Sequence, residues 1–170
     1  MSTIKKFPAI LKTNVFIALT LIIAMMSLSS CDDLDDGLNN KNKVYVLKIE
    51  PNVPQYISSY YGISAVLSGG RFDIDGAIYY DQGLLTELTG DNIGIDTSRV
   101  PSTGVIGGMG SSVKFMLDAM NWYKAENMGF IIQCKRSTNV FYKIAIEFGP
   151  NPNPNGYPSA VPTRLYYQRM

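Results

Sequence analysis

The chain has 170 residues, 15 of them basic and 14 acidic, for a formal net charge of +1; it has two cysteines and no histidine. Without imidazole there is neither Ser-His-Asp nor Cys-His machinery and no His-ligated zinc site, so catalysis would fall to carboxylates, Tyr, Lys or a hard metal. No Lys/Arg cluster or basic face is visible, which argues against nucleic acid or an anionic membrane surface as a partner.

The chain opens with a polar stretch holding Lys5, Lys6 and Lys12, and no acid occurs before Asp32. Residues 15–26 are an apolar run broken by Thr20, followed by Ser27-Leu28-Ser29-Ser30-Cys31. Positive charge, then an apolar stretch of roughly 7–15 residues, then small residues is the order of a secretory signal. The run falls short of the about 20 apolar residues that a spanning helix needs. Leu28-Ser29-Ser30-Cys31 resembles the bacterial lipobox, in which an aliphatic residue and two small ones precede the lipidated cysteine. The resemblance implies that residues 1–30 are a signal peptide cleaved after Ser30, that the Cys31 thiol takes diacylglycerol, and that the new amine is acylated. The membrane is then a partner through lipid on Cys31, held stably because each buried CH₂ adds about 0.8 kcal/mol and more than one chain is present.

Residues 31–43 form an acidic, Asn-rich tether: Asp32, Asp33, Asp35 and Asp36 follow the cysteine, and four carboxylates so close repel one another and stay hydrated. Such a run resembles the surface-export signal of Bacteroidota lipoproteins. In other Gram-negative groups an aspartate at that place resembles an inner-membrane retention mark. The first resemblance implies a lipid-anchored protein of the outer membrane, exposed at the cell surface.

Loss of residues 1–30 removes three lysines and leaves 140 residues with 12 basic and 14 acidic side chains, enough for one domain over residues 44–170. With Cys31 committed to lipid, Cys134 has no disulfide partner. In chain order, residues 44–49 read as a strand, stopped by Pro51 and Pro54. Residues 56–61 are ambiguous and could be one helical turn, and residues 63–67 read as a second strand. Asp75-Gly76 between residues 72–74 and 77–80 suits a tight hairpin turn that demands φ > 0, and Asp81-Gln82-Gly83 turns the chain again into residues 84–88. Residues 89–110 read as a long loop with short extended pieces.

Residues 111–128 carry a helical period in Val113, Met116, Leu117, Met120 and Tyr123, with Ser111 or Ser112 as cap and Gly129 as left-handed stop. Val113, Phe115, Leu117 and Ala119 also alternate, which is the strand reading. Residues 130–135 and 140–148 form a hairpin, residues 150–162 a Pro- and Asn-rich loop, and residues 164–168 a closing strand. The expected fold is α+β, a mostly antiparallel sheet with one packed helix; the alternative is an all-β sandwich, if residues 111–128 are extended.

Chemical signatures are sparse. Gly104, Gly107, Gly108 and Gly110 precede the expected helix, but the phosphate-loop lysine is missing and the dinucleotide spacing is not met, which leaves a flexible loop. Asp73, Asp75 and Asp81 fail as an EF-hand because Ala77 and Leu84 occupy ligand positions. No cofactor or metal site is expected. The adjacent aromatics Tyr60-Tyr61, Tyr79-Tyr80, Trp122-Tyr123 and Tyr166-Tyr167 are the strongest lead: neighbours in a strand point to opposite faces, so one ring of each strand pair faces out. Outward rings beside Asp, Asn or Gln suit stacking on a sugar, with Tyr80, Tyr167 and Trp122 as candidate ligand contacts.

Three readings follow: a non-catalytic binder of glycan or another envelope ligand, a structural or assembly subunit of an envelope or adhesin complex, and a carboxylate-based hydrolase. The lipid anchor stands apart from that choice. Cys31→Ala is expected to abolish metabolic lipid labelling and to release the protein from membranes; a variant that stays membrane-bound contradicts the lipobox reading.

Overall fold

The computed structural model describes residues 40–100, 114–151 and 159–170, all within one compact unit, Gly37–Met170. The signal stretch, Cys31, the acidic residues of the tether and the glycine run at 104–110 lie outside the described residues. Runs of β-branched and aromatic residues extend into nine described strands: β1 Tyr45–Lys48, β2 Gln55–Ser58, β3 Ile63–Ser68, β4 Arg71–Leu88, β5 Ile93–Asp96, β6 Lys114–Asp118, β7 Met128–Cys134, β8 Phe141–Pro150 and β9 Ala160–Arg169. They form one antiparallel sheet in the order β1-β9-β8-β7-β4-β3-β2, with β5 and β6 also paired to β4.

The 18-residue β4 organises the rest. A strand residue has one neighbour at each edge, so the register identifies both. Phe72 pairs with Leu67 of β3 and Leu117 of β6. Ile78 pairs with Gln133 of β7 and Lys114 of β6, and Leu84 with Met128 of β7 and Asp96 of β5. One edge of β4 therefore carries β3 and then β7, and the other carries β6 and then β5. The handover from β3 to β7 falls at Gly76, whose φ is +76° and where a Cβ would overlap the Gly62 carbonyl oxygen.

The β6 ladder slips at the same point, from Ile74 opposite Phe115 to Ile78 opposite Lys114. Such a bulge bends the strand and shifts its phase: burial passes from Phe72 and Ile74 to Ala77 and Tyr79, and after a second slip past Tyr80 to Gln82. The two expected turns, at Asp75-Gly76 and at Asp81-Gln82-Gly83, are therefore corners within one strand. The demand for φ > 0 at Gly76 is real, but it serves a bend.

The bent sheet curls into a nearly closed barrel. Val44 N donates to the Gly90 carbonyl at 2.8 Å, Ile49 N to that of Thr163 at 2.9 Å, and Pro51 bridges Leu67 in the parallel sense. Inside lie Phe72, Ile74, Phe115, Leu117, Phe130, Ile132, Tyr142, Ile144 and Leu165, all fully buried. Burying each of the larger apolar side chains stabilises the fold by roughly 1.5–3 kcal/mol. Phe115 and Phe130 meet edge to face at 5.2 Å.

Among the described residues 114–128, the helix expected over residues 111–128 is not formed. Residues 114–118 are β6, and a 3-10 turn (Ala119–Asn121) and the single helical turn α1 (Trp122–Ala125) follow. The all-β reading is thus the closer one, as a single curled sheet rather than two stacked ones. The extended form pairs charges across strands: Lys114 lies 2.6 Å from Asp75 and 3.4 Å from Asp73, and Arg71 lies 4.0 Å from Asp118. Phe115 and Leu117 are buried while Met120 and Tyr123 of the helical stripe are exposed. The left-handed stop falls at Asn127, φ +62°, two residues before Gly129. Of residues 56–61, read as ambiguous, 56–58 belong to β2; the hairpin of β7 and β8 and the strands β1 and β3 lie where expected, and the closing strand is longer than expected, since β9 starts at Ala160 within the stretch read as a loop.

Gly76→Ala is expected to lower stability by at least about 2 kcal/mol, from the left-handed backbone together with the overlap on Gly62. Gly69→Ala, at φ +58° with nothing within 4 Å, carries the backbone strain alone and is expected to cost about 1 kcal/mol. Thermal unfolding followed by circular dichroism separates the two; equal losses contradict the corner at Gly76.

Candidate functional site

β6 ends where Ala119 N donates to the Gly70 carbonyl at 2.8 Å, and the chain then turns sharply through the 3-10 turn into α1. The turn divides its aromatic residues. Trp122, only 4% exposed, points inward; its indole Nε1 donates to the Leu117 carbonyl at 3.2 Å and its ring lies 6.3 Å from Phe148. Tyr123 at 68% and Met120 at 75% exposure point out to solvent. Asn127, in the left-handed region, then sends the chain into β7.

Between this turn and the facing ends of β8 and β9 lies a cleft of about 370 Å³. Trp122, Tyr123 and Phe148 line it with Met120, and Glu126 and Ser159 supply the polar groups. Its size falls in the range of about 300–1,000 Å³ usual for small-ligand sites, which combine apolar walls with a few orienting polar groups. Rings, a thioether, one carboxylate and one hydroxyl can stack on and orient a hydroxylated ligand; they provide no nucleophile and base in contact. The Lys124 Nζ lies 5.7 Å from the centre of the Tyr123 ring.

A second hollow of about 250 Å³ shares Glu126 and Phe148 with the cleft and adds Glu147 and Tyr166. Here the Tyr166 hydroxyl donates to Glu147 Oε2 at 2.6 Å, and Arg164 donates to Glu147 Oε1 at 3.1 Å. The hydrogen bond to Glu147 holds the Tyr166 phenol above its ordinary pKa. Tyr166 is therefore a neutral donor near pH 7, the opposite of a phenolate nucleophile. Burial, with Asp81 nearby, likewise raises the Tyr79 phenol, and burial raises that of Tyr142.

The three aromatic residues singled out from the sequence occupy different places. Tyr80, half exposed, meets Phe141 edge to face at 4.9 Å. Tyr167 stacks on Tyr45, its register partner across β1 and β9, at 5.3 Å and meets Tyr142 at 6.3 Å. Phe141 and Tyr142 are consecutive in β8 and so point to opposite faces. Tyr80 therefore lies on the outer face and Tyr167 on the inner one, and the two cannot form one platform. Tyr79-Tyr80 follows the expected division, with Tyr79 buried. Of the three, Trp122 alone lines the cleft; Tyr123, Met120, Glu126, Phe148 and Ser159 were not singled out, and the Trp122-Tyr123 pair was their one sequence signal. Asp73 and Asp75 are engaged with Lys114, and Asp81 accepts the Gln82 amide at 2.8 Å.

No protein-family model, no curated protein and no solved structure matches this chain.

Trp122→Ala empties a buried indole site and is expected to cost about 3–5 kcal/mol. Tyr123→Ala and Met120→Ala, at exposed positions, are expected to stay within about 0.5 kcal/mol of the wild type in denaturant unfolding. A large loss in either exposed variant contradicts the division of the turn into a buried and a solvent-facing side.

Proposed function

We propose that the protein is a lipid-anchored protein of the cell envelope whose domain is a non-catalytic module that binds glycan in the cleft beside α1. The observation that carries this reading is the pairing of the exposed Tyr123 ring with a cleft walled by Trp122 and Phe148, beside the Glu126 carboxylate and the Ser159 hydroxyl. Apolar C–H faces of a sugar pack on rings, and its hydroxyls need a few fixed acceptors and donors. The lipobox-like Leu28-Ser29-Ser30-Cys31 and the acidic tether support the address. A carboxylate-based hydrolase has less behind it, since Glu147 is already engaged by Tyr166 and Arg164.

One observation favours the assembly-subunit reading. β2 pairs only with β3 among the described strands, and Val53, Tyr56 and Tyr60 beside that edge are exposed. An unpaired edge with exposed apolar residues is a place where another strand can add.

The test is a glycan array probed with the compact unit, residues 37–170, and with Tyr123→Ala, Glu126→Gln and Tyr80→Ala. The reading expects binding that falls at least tenfold in Tyr123→Ala and Glu126→Gln and is unchanged in Tyr80→Ala. Absence of any glycan binding, or equal loss in Tyr80→Ala, rejects the cleft as a glycan site and puts the edge at β2 first.

A further inference from the structure

The two hollows beside α1 are lined by two glutamates in opposite states. Glu147 is occupied, by the Tyr166 hydroxyl at 2.6 Å and by Arg164 at 3.1 Å. Glu126 lines both hollows, and its carboxylate has neither an ion pair nor a hydrogen bond with any described residue. Elsewhere on the described surface carboxylates are matched: Glu50 by Lys48, Asp73 and Asp75 by Lys114, Asp118 by Arg71, and Glu87 by the Asn92 amide.

Glu126 is also the one charged side chain among the described residues that line the cleft, where Trp122, Tyr123, Phe148 and Met120 form the apolar walls. An open carboxylate attracts a cation and repels an anion. The rings act in the same sense, because the negative face of an aromatic ring draws an ammonium towards it. Tyr123 already does so with Lys124, whose Nζ lies 5.7 Å from the ring centre. Lys124 is not among the residues that line the cleft, so the described lining holds three rings, one thioether and one negative charge.

We propose that this cleft selects amino sugars with a free ammonium group, such as glucosamine units, over N-acetylated, neutral and acidic sugars. The proposal rests on the glycan reading of the cleft and names the sugar class. Glu126 pairs with the ammonium, and the rings pack on the sugar and its charged group. A neutral sugar that covers Glu126 strips water from the carboxylate without giving it an ionic partner. An N-acetyl amide donates one neutral hydrogen bond where an ammonium makes a stronger, doubly charged one, and an acidic sugar sets like charges together. Lys124 works against the ligand, since it competes for the Tyr123 ring and repels an ammonium. The two charged neighbours of Tyr123 therefore have opposite effects on binding.

Isothermal titration calorimetry of residues 37–170, which leaves out the aspartates of the tether, tests this with three probes of equal length: the glucosamine trisaccharide, its N-acetylated form and cellotriose, at a pH that keeps the amine protonated. We expect the glucosamine trisaccharide to bind at least tenfold more tightly than the other two. Glu126→Gln is expected to abolish that preference, and Lys124→Gln to strengthen binding of the glucosamine trisaccharide at least threefold. Glu50→Gln, which removes an exposed carboxylate paired with Lys48, is the control for non-specific charge and is expected to change nothing. All three variants are expected to melt like the wild type. Equal binding of the three probes, or tighter binding of the N-acetylated or neutral one, overturns the proposal and leaves the glycan reading in place. Absence of binding to any sugar, here and on the array, overturns both. Weaker binding in Lys124→Gln, or a loss in Glu50→Gln equal to that in Glu126→Gln, also overturns the proposal.

Discussion

A backbone that must bend at Gly76 is the constraint on which the rest of this fold depends. β4 is long enough to serve both halves of the barrel, and it can do so only because its register changes where a residue without a Cβ meets the Gly62 carbonyl. Before that corner β4 holds β3 and most of β6; past it β4 holds β7 and β5, with Lys114 of β6 still opposite Ile78. The corner also governs which side chains face the interior, since the bulge moves the buried phase from Ile74 to Ala77. β6 runs back along the first half of β4, so its end, the turn at α1 and the cleft beside that turn inherit their position from the same bend.

Local chemistry was a good guide wherever a strand was bounded by its own turn. The hairpin of β7 and β8 and the strands β1 and β3 were legible from β-branched runs and breakers. Asp75-Gly76 shows where such reading stops. A hairpin turn and a bulge both demand φ > 0, and residues on either side are apolar in both, so only the partner strands distinguish them. Residues 111–128 failed for a related reason: two periods overlap there. The contacts that the extended form makes, Lys114 with Asp73 and Asp75 and Phe115 with Phe130, join residues far apart in the chain.

The functional residues were only partly legible for the same physical reason. An adjacent aromatic pair indicates that one ring turns in and the other out, but its meaning depends on what lies opposite. Tyr167 is matched by Tyr45 across the ladder and Tyr80 by Phe141, so their rings have neighbours within the sheet. At Trp122-Tyr123 the buried ring helps wall a cleft and the exposed one stands at its margin.

Trp122 is the one tryptophan in the chain, and it lines the cleft proposed to bind glycan. Its fluorescence therefore reports on that site directly. The account predicts that an oligosaccharide bound by the protein produces a saturable change in Trp122 emission, with a midpoint that moves at least tenfold higher in Tyr123→Ala. An oligosaccharide that saturates the protein by calorimetry while Trp122 emission stays constant would show that the ligand binds elsewhere, and the cleft would lose its role.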